Sequence, residues 1–296
     1  MRGMETAAAM DDPERAAILR AAAVVGVIDG GSGAAPQLLA RLCDPAVDGR
    51  EIVGITGRDP GLAARVLRVA NSAFYGRSRT VKTVDRAVSI LGLDAVRGVA
   101  AAACLDRSLL RSGAVAQLDV GALVGHSLAT GVLAEQLARG EFRRYAGDAF
   151  IAGLLHNLGT LVQAQLRPRA MQLALQGHTT RAVDDIRELE ERSGLTPHEH
   201  CVRVVFEDWA LPQLLSDATA GHHAPLAVAE EARPLAALLH VAAGCAAEAG
   251  YGWVLEPPVA AFDADCRALL GITDEDLAAT LAQLPQRVAL LAGLRG

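Results

Sequence analysis

Two neighbouring side chains, His156 and Asn157, lie in the apolar run Ala149-Phe150-Ile151-Ala152-Gly153-Leu154-Leu155-His156-Asn157-Leu158-Gly159. A His-Asp pair buried in such a helix would begin a dinuclear centre able to hydrolyse phosphate esters. Here the second residue is an amide. It carries no negative charge and binds hard divalent cations weakly, so the substitution bears on whether the chain is an enzyme at all. Six of the eight histidines (His126, His156, His198, His200, His222 and His223) fall in a second helical block, at helix positions or helix ends. Histidines from separate helices of a bundle can converge on one point. As ligands they must be neutral, with the other ring nitrogen held by an acceptor. Spacing alone does not establish this, because a single histidine is more often a satisfied core or surface residue.

The elements that must position these side chains read as helices. An alanine-rich leader carries one short helix near 12–28 and ends in Gly30-Gly31-Ser32-Gly33, which reads as a linker. Asp59-Pro60 opens a helix with Leu62, Val66, Leu67 and Ala70 on one face, and Asn71-Ser72 and Gly76 end it in a turn. A basic loop follows (Arg77, Arg79, Lys82), whose charges by default are solvated. Thr83 caps a helix carrying Leu91, Gly92 stops it, and Asp94 caps the next. The second block starts near Asp119 with a helix carrying His126. Another, capped by Asp148, is expected to carry His156 and Asn157 and to continue until Pro168. Gly153 and Gly159 read as close helix–helix contacts.

Residues 180–192 read as a charged, solvated helix. Thr196-Pro197-His198-Glu199 reads as a capping box that starts a helix running to about Trp209, with Phe206 and Trp209 packing it. Leu211-Pro212 opens a helix ending at Gly221-His222-His223. Asp217 lies on that helix in a position poor for contributing charge to the histidines. Residues 233–249 form an apolar helix, and 263–294 supply one or two more.

Composition agrees with an all-α chain. Over its 296 residues 51% are apolar but only 3% aromatic, and alanine, leucine and valine favour closely packed helices. A net charge of -6 argues against general nucleic-acid binding. Five scattered cysteines form no Cys-x-x-Cys pair, so reduced thiols are expected. No apolar run suits a signal peptide or a membrane span, so a cytoplasmic protein is expected.

Taken together, Asp59-Pro60-Gly61-Leu62 through Val69-Ala70-Asn71-Ser72, Tyr75-Gly76, Ala87-Val88-Ser89-Ile90-Leu91-Gly92-Leu93, the Phe150–Gly159 run, Trp209-Ala210-Leu211-Pro212 and His222-His223 make a specific pattern. The chain resembles HDOD domains, the HD-related output domains of bacterial signalling proteins, over roughly residues 36–250. The resemblance implies a two-lobed helical architecture with an HD-domain-like bundle. It also implies partners such as diguanylate cyclases or histidine kinases. Matched to metal-active HD relatives, His126 takes the place of the first histidine and His156 that of the pair. Asn157 stands where the aspartate belongs, and His198, His222 and His223 match later histidines. Ala243 stands at the closing acidic position.

The resulting expectations are a leader of residues 1–35, an HDOD domain over 36–250 with lobes at about 36–115 and 116–250, and a helical extension over 251–296. The function expected is a non-catalytic signalling module acting in trans through a protein partner or small effector, with a degenerate metal site and no cofactor. Neutral imidazoles and an amide do not offset the charge of two divalent cations. A single transition-metal ion on His126, His156, His198, His222 and His223 stays open. Two alternatives stand beside this reading: a metal-dependent phosphohydrolase acting on nucleotides or cyclic dinucleotides, and a cyclic-dinucleotide sensor without turnover.

Overall fold

Asp48, Asp59 and Asp119 cap the helices that follow them, whereas several other helices begin without a side-chain cap. The computed structural model describes residues 12–24, 38, 40–41, 47–71, 80–109, 118–180, 186–253 and 264–292. In chain order these give α1 (Pro13–Val24), α2 (Gly49–Arg58), α3 (Pro60–Ala70), α4 (Val84–Leu109), α5 (Val120–Leu137), α6 (Ala146–Leu155), α7 (Leu158–Leu166), α8 (Pro168–Thr180), α9 (Ile186–Ser193), α10 (His198–Asp208), α11 (Gln213–Ala220), α12 (Arg233–Ala246), α13 (Ala264–Leu270) and α14 (Asp274–Ala292). No strand occurs among the described residues.

The first group of helices is α2, α3 and α4, packed on one another. Asp59 caps α3 by accepting from Gly61 N and Leu62 N, next to a proline in the first turn. Asn71 closes α3 as a substitute for backbone. Its Nδ2 donates to Leu67 O and Val81 O, and its Oδ1 accepts from Val81 N at 2.6 Å. The helical stretch of α4 breaks at Gly92, which adopts φ 76 and ψ 168, a conformation that favours glycine. Thr83 Oγ1 accepts from Arg86 N ahead of that stretch. Ser72, Gly76, Arg77 and Arg79 lie outside the described residues, and Lys82 is exposed.

The second group is built around α5, which is buried on nearly every side. It packs on α6, α12 and α14, as an all-round apolar helix must. Asp119 caps it by accepting from Ala122 N. The crossing of α5 and α6 is closest at two glycines: a methyl added at Gly153 would stand 2.8 Å from Gly131 Cα and N. Helix α7 packs on α10, and α1 lies across both. Ile18 and Ala22 of α1 are fully buried there, and Thr196 Oγ1 donates to Glu14 Oε1. The short helix ahead of the expected linker is thus packed into the second group's core. The described cysteines Cys201, Cys245 and Cys266 are buried and take part in no disulfide. Burial pushes the thiols of Cys201 and Cys245 up, the latter to about 12.

Four local expectations need correction. The helix expected to run through His156 and Asn157 is two helices, α6 and α7, meeting at that pair. The cause is local: His156 Nδ1 donates to Gly153 O at 2.6 Å, so the ring claims a carbonyl that helical amides would otherwise use. Asp148 therefore sits inside the first turn of α6, whose cap position is Tyr145. The capping box at Thr196 does not form either. Pro197 occupies the cap with no side-chain cap bond, because Thr196 is engaged by Glu14. Third, α9 is not wholly solvated: Ile186, Leu189 and Glu190 are buried. Fourth, the apolar helix of residues 233–249 stops at Ala246 and passes into a π-turn over Ala247–Tyr251.

A buried chain of histidines

Five of the candidate histidines form a continuous chain of rings. Centroid separations are 5.2 Å for His126–His156, 5.0 Å for His156–His222 and 4.0 Å for His222–His223. His198 closes the far end, 5.5 Å from His222 and 5.1 Å from His223. His126 comes from α5, His156 and Asn157 from the α6–α7 junction, His198 from the first turn of α10, and His222 and His223 from the turn after α11. His126, His156, Asn157 and His198 are fully buried. Gly159 makes the approach of α7 to α10 feasible, since a methyl there would fall 1.9 Å from His198 O. His200 is exposed and does not join the chain.

Each of four rings is tethered through Nδ1 to an acceptor. His126 meets Tyr251 O at 3.0 Å, His156 meets Gly153 O, and His222 meets Thr219 O at 2.7 Å. His198 meets Glu190 Oε1 at 2.8 Å. A carbonyl only accepts, so Nδ1 carries the proton in the first three. Glu190 Oε1 already accepts from His198 N and Gln163 Nε2, so it accepts from the His198 ring as well. In the neutral imidazole this leaves each Nε2 as a lone-pair acceptor. His240 is placed differently: its Nδ1 donates to His222 O at 2.9 Å and so braces the backbone of that ring.

The electrostatics separate the two ends of the chain. At the His126 end, Asn157 Nδ2 donates to His156 Nε2 at 2.9 Å. That assignment of the amide follows from the tautomer, since Nε2 can only accept. Thr130 Oγ1 lies 3.4 Å from His126 Nε2. Ala243, buried one turn beyond His240 on α12, offers no ligand atom. Asp217 is engaged by Arg203 and Gln213 on the outside of α11.

At the His198 end two carboxylates stand close. Burial alone would raise the Glu190 carboxyl, but His198 beside it, with hydrogen bonds from His198 and Gln163, holds it below its ordinary value. Burial raises the Glu199 carboxyl, which accepts from the backbone N–H of His223. Burial, reinforced by repulsion from His223, His156 and His198, holds His222 well below the ordinary imidazole range, so its ring is neutral.

The donor set does not fit a carboxylate-bridged pair of ions. Such a centre needs an anionic bridge to offset four positive charges and to polarise water. At His156 the neighbouring group is an amide whose N–H faces the ring, and Ala243 supplies nothing. The ligand atoms of His198, His222 and His223, by contrast, all lie within 4.8 Å of one another.

The family model of the HDOD domain matches residues 32–225. This chain belongs to the HDOD family. Solved structures repeat the fold. A candidate phosphohydrolase of Shewanella amazonensis SB2B superposes with a TM-score of 0.70 at 22% identity, covering 95% of this chain and 98% of that one. An HDOD domain protein of Geobacter sulfurreducens gives 0.69 at 24%, covering 88% and 90%. A candidate signal transduction protein of Marinobacter aquaeolei VT8 gives 0.69 at 26%, covering 89% of this chain and 58% of that one. A protein of Treponema pallidum (strain Nichols) is 24% identical over 208 residues, 68% of this chain; the chain spans 40% of that relative's length. The HDOD match stops short of α12, which carries His240 and Ala243, and begins after α1. No helix among the described residues is long and apolar enough to cross a membrane.

The sequence reading makes neither Glu190 nor Glu199 a site residue: it places Glu190 on the solvated face of α9, and Glu199 in the capping box at the start of α10. A signal was present: Ile186, Leu189 and Glu190 stand at i, i+3 and i+4, so Glu190 shares the apolar face of α9. The tethering carbonyls of Gly153, Thr219 and Tyr251 leave no mark in side-chain sequence.

Proposed function

We propose that this HDOD chain is a non-catalytic signalling module that acts by binding, through its helical surface or its histidine-lined interior, with a degenerate HD metal site. The partner class we favour is a signalling enzyme such as a diguanylate cyclase or a histidine kinase, or a small effector bound among the histidines. The observation that carries the reading is the hydrogen bond from Asn157 Nδ2 to His156 Nε2. It places a neutral donor against the nitrogen that a hydrolytic metal would need, where a bridging carboxylate would be required instead. The name of the Marinobacter neighbour, a candidate signal transduction protein at 26% identity, supports the signalling context.

The test has two arms. Purified chain supplied with Mn(II) or Fe(II) is assayed against nucleotides and cyclic di-GMP. In parallel, binding to purified diguanylate cyclase and histidine kinase modules is measured. The reading expects binding without turnover. Turnover that disappears on His156→Ala overturns it.

A further inference from the structure

We infer that α1 is a releasable latch on the α7–α10 pair, its docking coupled to the setting of His198 through Glu14, Thr196, Gln163 and Glu190. The inference concerns this chain alone, so it holds whatever partner or effector the protein takes.

The latch is lightly held. Among the 12 residues of α1, Ile18, Ala21 and Ala22 are buried, so a single large side chain anchors the helix. The other ties are polar and lie in its first turn. Thr196 Oγ1 donates to Glu14 Oε1 at 3.2 Å, and Arg15 pairs with Glu207 where both are partly exposed. An element with few buried apolar groups opens more readily than the core it covers. In the sequence, Gly30-Gly31-Ser32-Gly33 stands between α1 and α2, a linker composition, so release of α1 need not unfold α2.

A continuous run of hydrogen bonds joins the latch to the histidine chain. Gln163 Nε2 carries two protons; one goes to Thr196 O and the other to Glu190 Oε1. Glu190 Oε1 also accepts from both N and Nδ1 of His198. Thr196 is thus held by α1 through its hydroxyl and by the buried network through its carbonyl, two residues before His198.

The released state has its own hydrogen bonds. Thr196-Pro197-His198-Glu199 has the residues of a capping box, yet Pro197 occupies the cap position at ψ 131 with no side-chain bond. Once α1 leaves, Glu14 no longer engages the hydroxyl. Thr196 can then cap α10 by accepting from Glu199 N, with Pro197 at the first helical position. That turn takes His198 N away from Glu190 Oε1 and draws the Glu199 carboxylate off the His223 N–H that it accepts in the docked state. Docked and released α1 therefore correspond to two settings of His198 and His223, and each end biases the other.

Cys201 of α10 reports the release. The thiol is fully buried, and burial raises it, with Glu190 and Glu14 adding to the rise, so both carboxylates lie near it. The full-length chain is pulsed with N-ethylmaleimide, and peptide mass spectrometry reads each cysteine. Hydrogen exchange of residues 13–24 is followed in parallel, and imidazole nitrogen NMR reads His198 Nδ1–H. Ile18→Ala should speed Cys201 labelling and α1 exchange about tenfold or more. Cys266 should keep its parent rate, which separates release from global unfolding, and the His198 signal should shift. Glu14→Ala, which removes an exposed side chain, should move the same readings in the same direction and serves if Ile18→Ala unfolds the protein. In the reverse direction, Gln163→Leu should speed α1 exchange. An unmoved His198 signal in a variant whose α1 exchanges freely overturns the inference. So does unaltered α1 exchange in a folded Gln163→Leu.

Discussion

Glu190 Oε1 stands 2.8 Å from His198 Nδ1 although it belongs to α9, a helix whose other acidic residues, Glu188 and Glu191, face solvent. A carboxylate only 2% exposed is tolerable because three donors converge on one of its oxygens: His198 N, His198 Nδ1 and Gln163 Nε2. Glu190→Leu should therefore cost about 3–5 kcal/mol, the penalty for removing one member of a buried polar pair. Urea unfolding measures it. A loss below about 1 kcal/mol would show that the three donors find other acceptors.

Three helical glycines, one exposed and two at crossings, should tolerate alanine in a fixed order. Gly57→Ala, with nothing within 4 Å of the added methyl, should be neutral or stabilising by up to about 1 kcal/mol. Gly153→Ala places a methyl 2.8 Å from Gly131 backbone and should cost about 1–3 kcal/mol. Gly159→Ala, 1.9 Å from His198 O, should cost more than Gly153→Ala. Thermal melts rank the three, and a Gly159→Ala protein as stable as the parent contradicts the packing described.

Helix α1 should matter to stability far more than its place in an alanine-rich leader implies. Ile18 is fully buried against the α7–α10 pair, so Ile18→Ala should cost about 2–5 kcal/mol. The ion pair of Arg15 with Glu207 is partly exposed, and Arg15→Ala should cost less than about 1 kcal/mol. Equal effects from the two substitutions would mean that α1 is held by charge rather than by burial.

Stability should fall on acidification in two stages. The folded protein disfavours protonated His222, whereas the unfolded chain protonates it near 6.5. The unfolded state then binds more protons, so stability is full above that value and declines as pH drops below it. Glu190 follows: its carboxyl is lowered from 4.5, so its contribution is lost only as pH falls below that value. Glu199, raised by burial, works in the opposite sense: stability is gained as pH falls through its raised value towards 4.5, which offsets part of the His222 loss before the Glu190 stage begins. Urea midpoints at pH 7.5, 5.5 and 4 read the sequence of losses, and His222→Gln should flatten the first. Equal midpoints at pH 7.5 and 5.5 in the parent chain would contradict the neutral, buried ring.

Much of this architecture is legible before any coordinates. Asp59, Thr83 and Asp119 announce helix starts through local chemistry, and Gly92 announces a break because its φ suits glycine. Local rules failed where another partner outbid them. Thr196 left its capping role for the distant Glu14, and His156 interrupted its own helix through a local bond to Gly153 O. The candidate histidines were named from a family pattern, and their convergence required distances that no spacing contains. Glu190 was hidden by its charged neighbours, even though its register with Ile186 and Leu189 put it on the buried side.

The sharpest test of the central claim, that an amide at Asn157 and an alanine at Ala243 leave the His126–His156 end unable to hold paired ions, is anomalous scattering from crystals grown with excess Mn(II). The account predicts no pair of peaks beside His156. Two peaks about 3.5–4 Å apart at that position, as in two-metal hydrolytic centres, would contradict it.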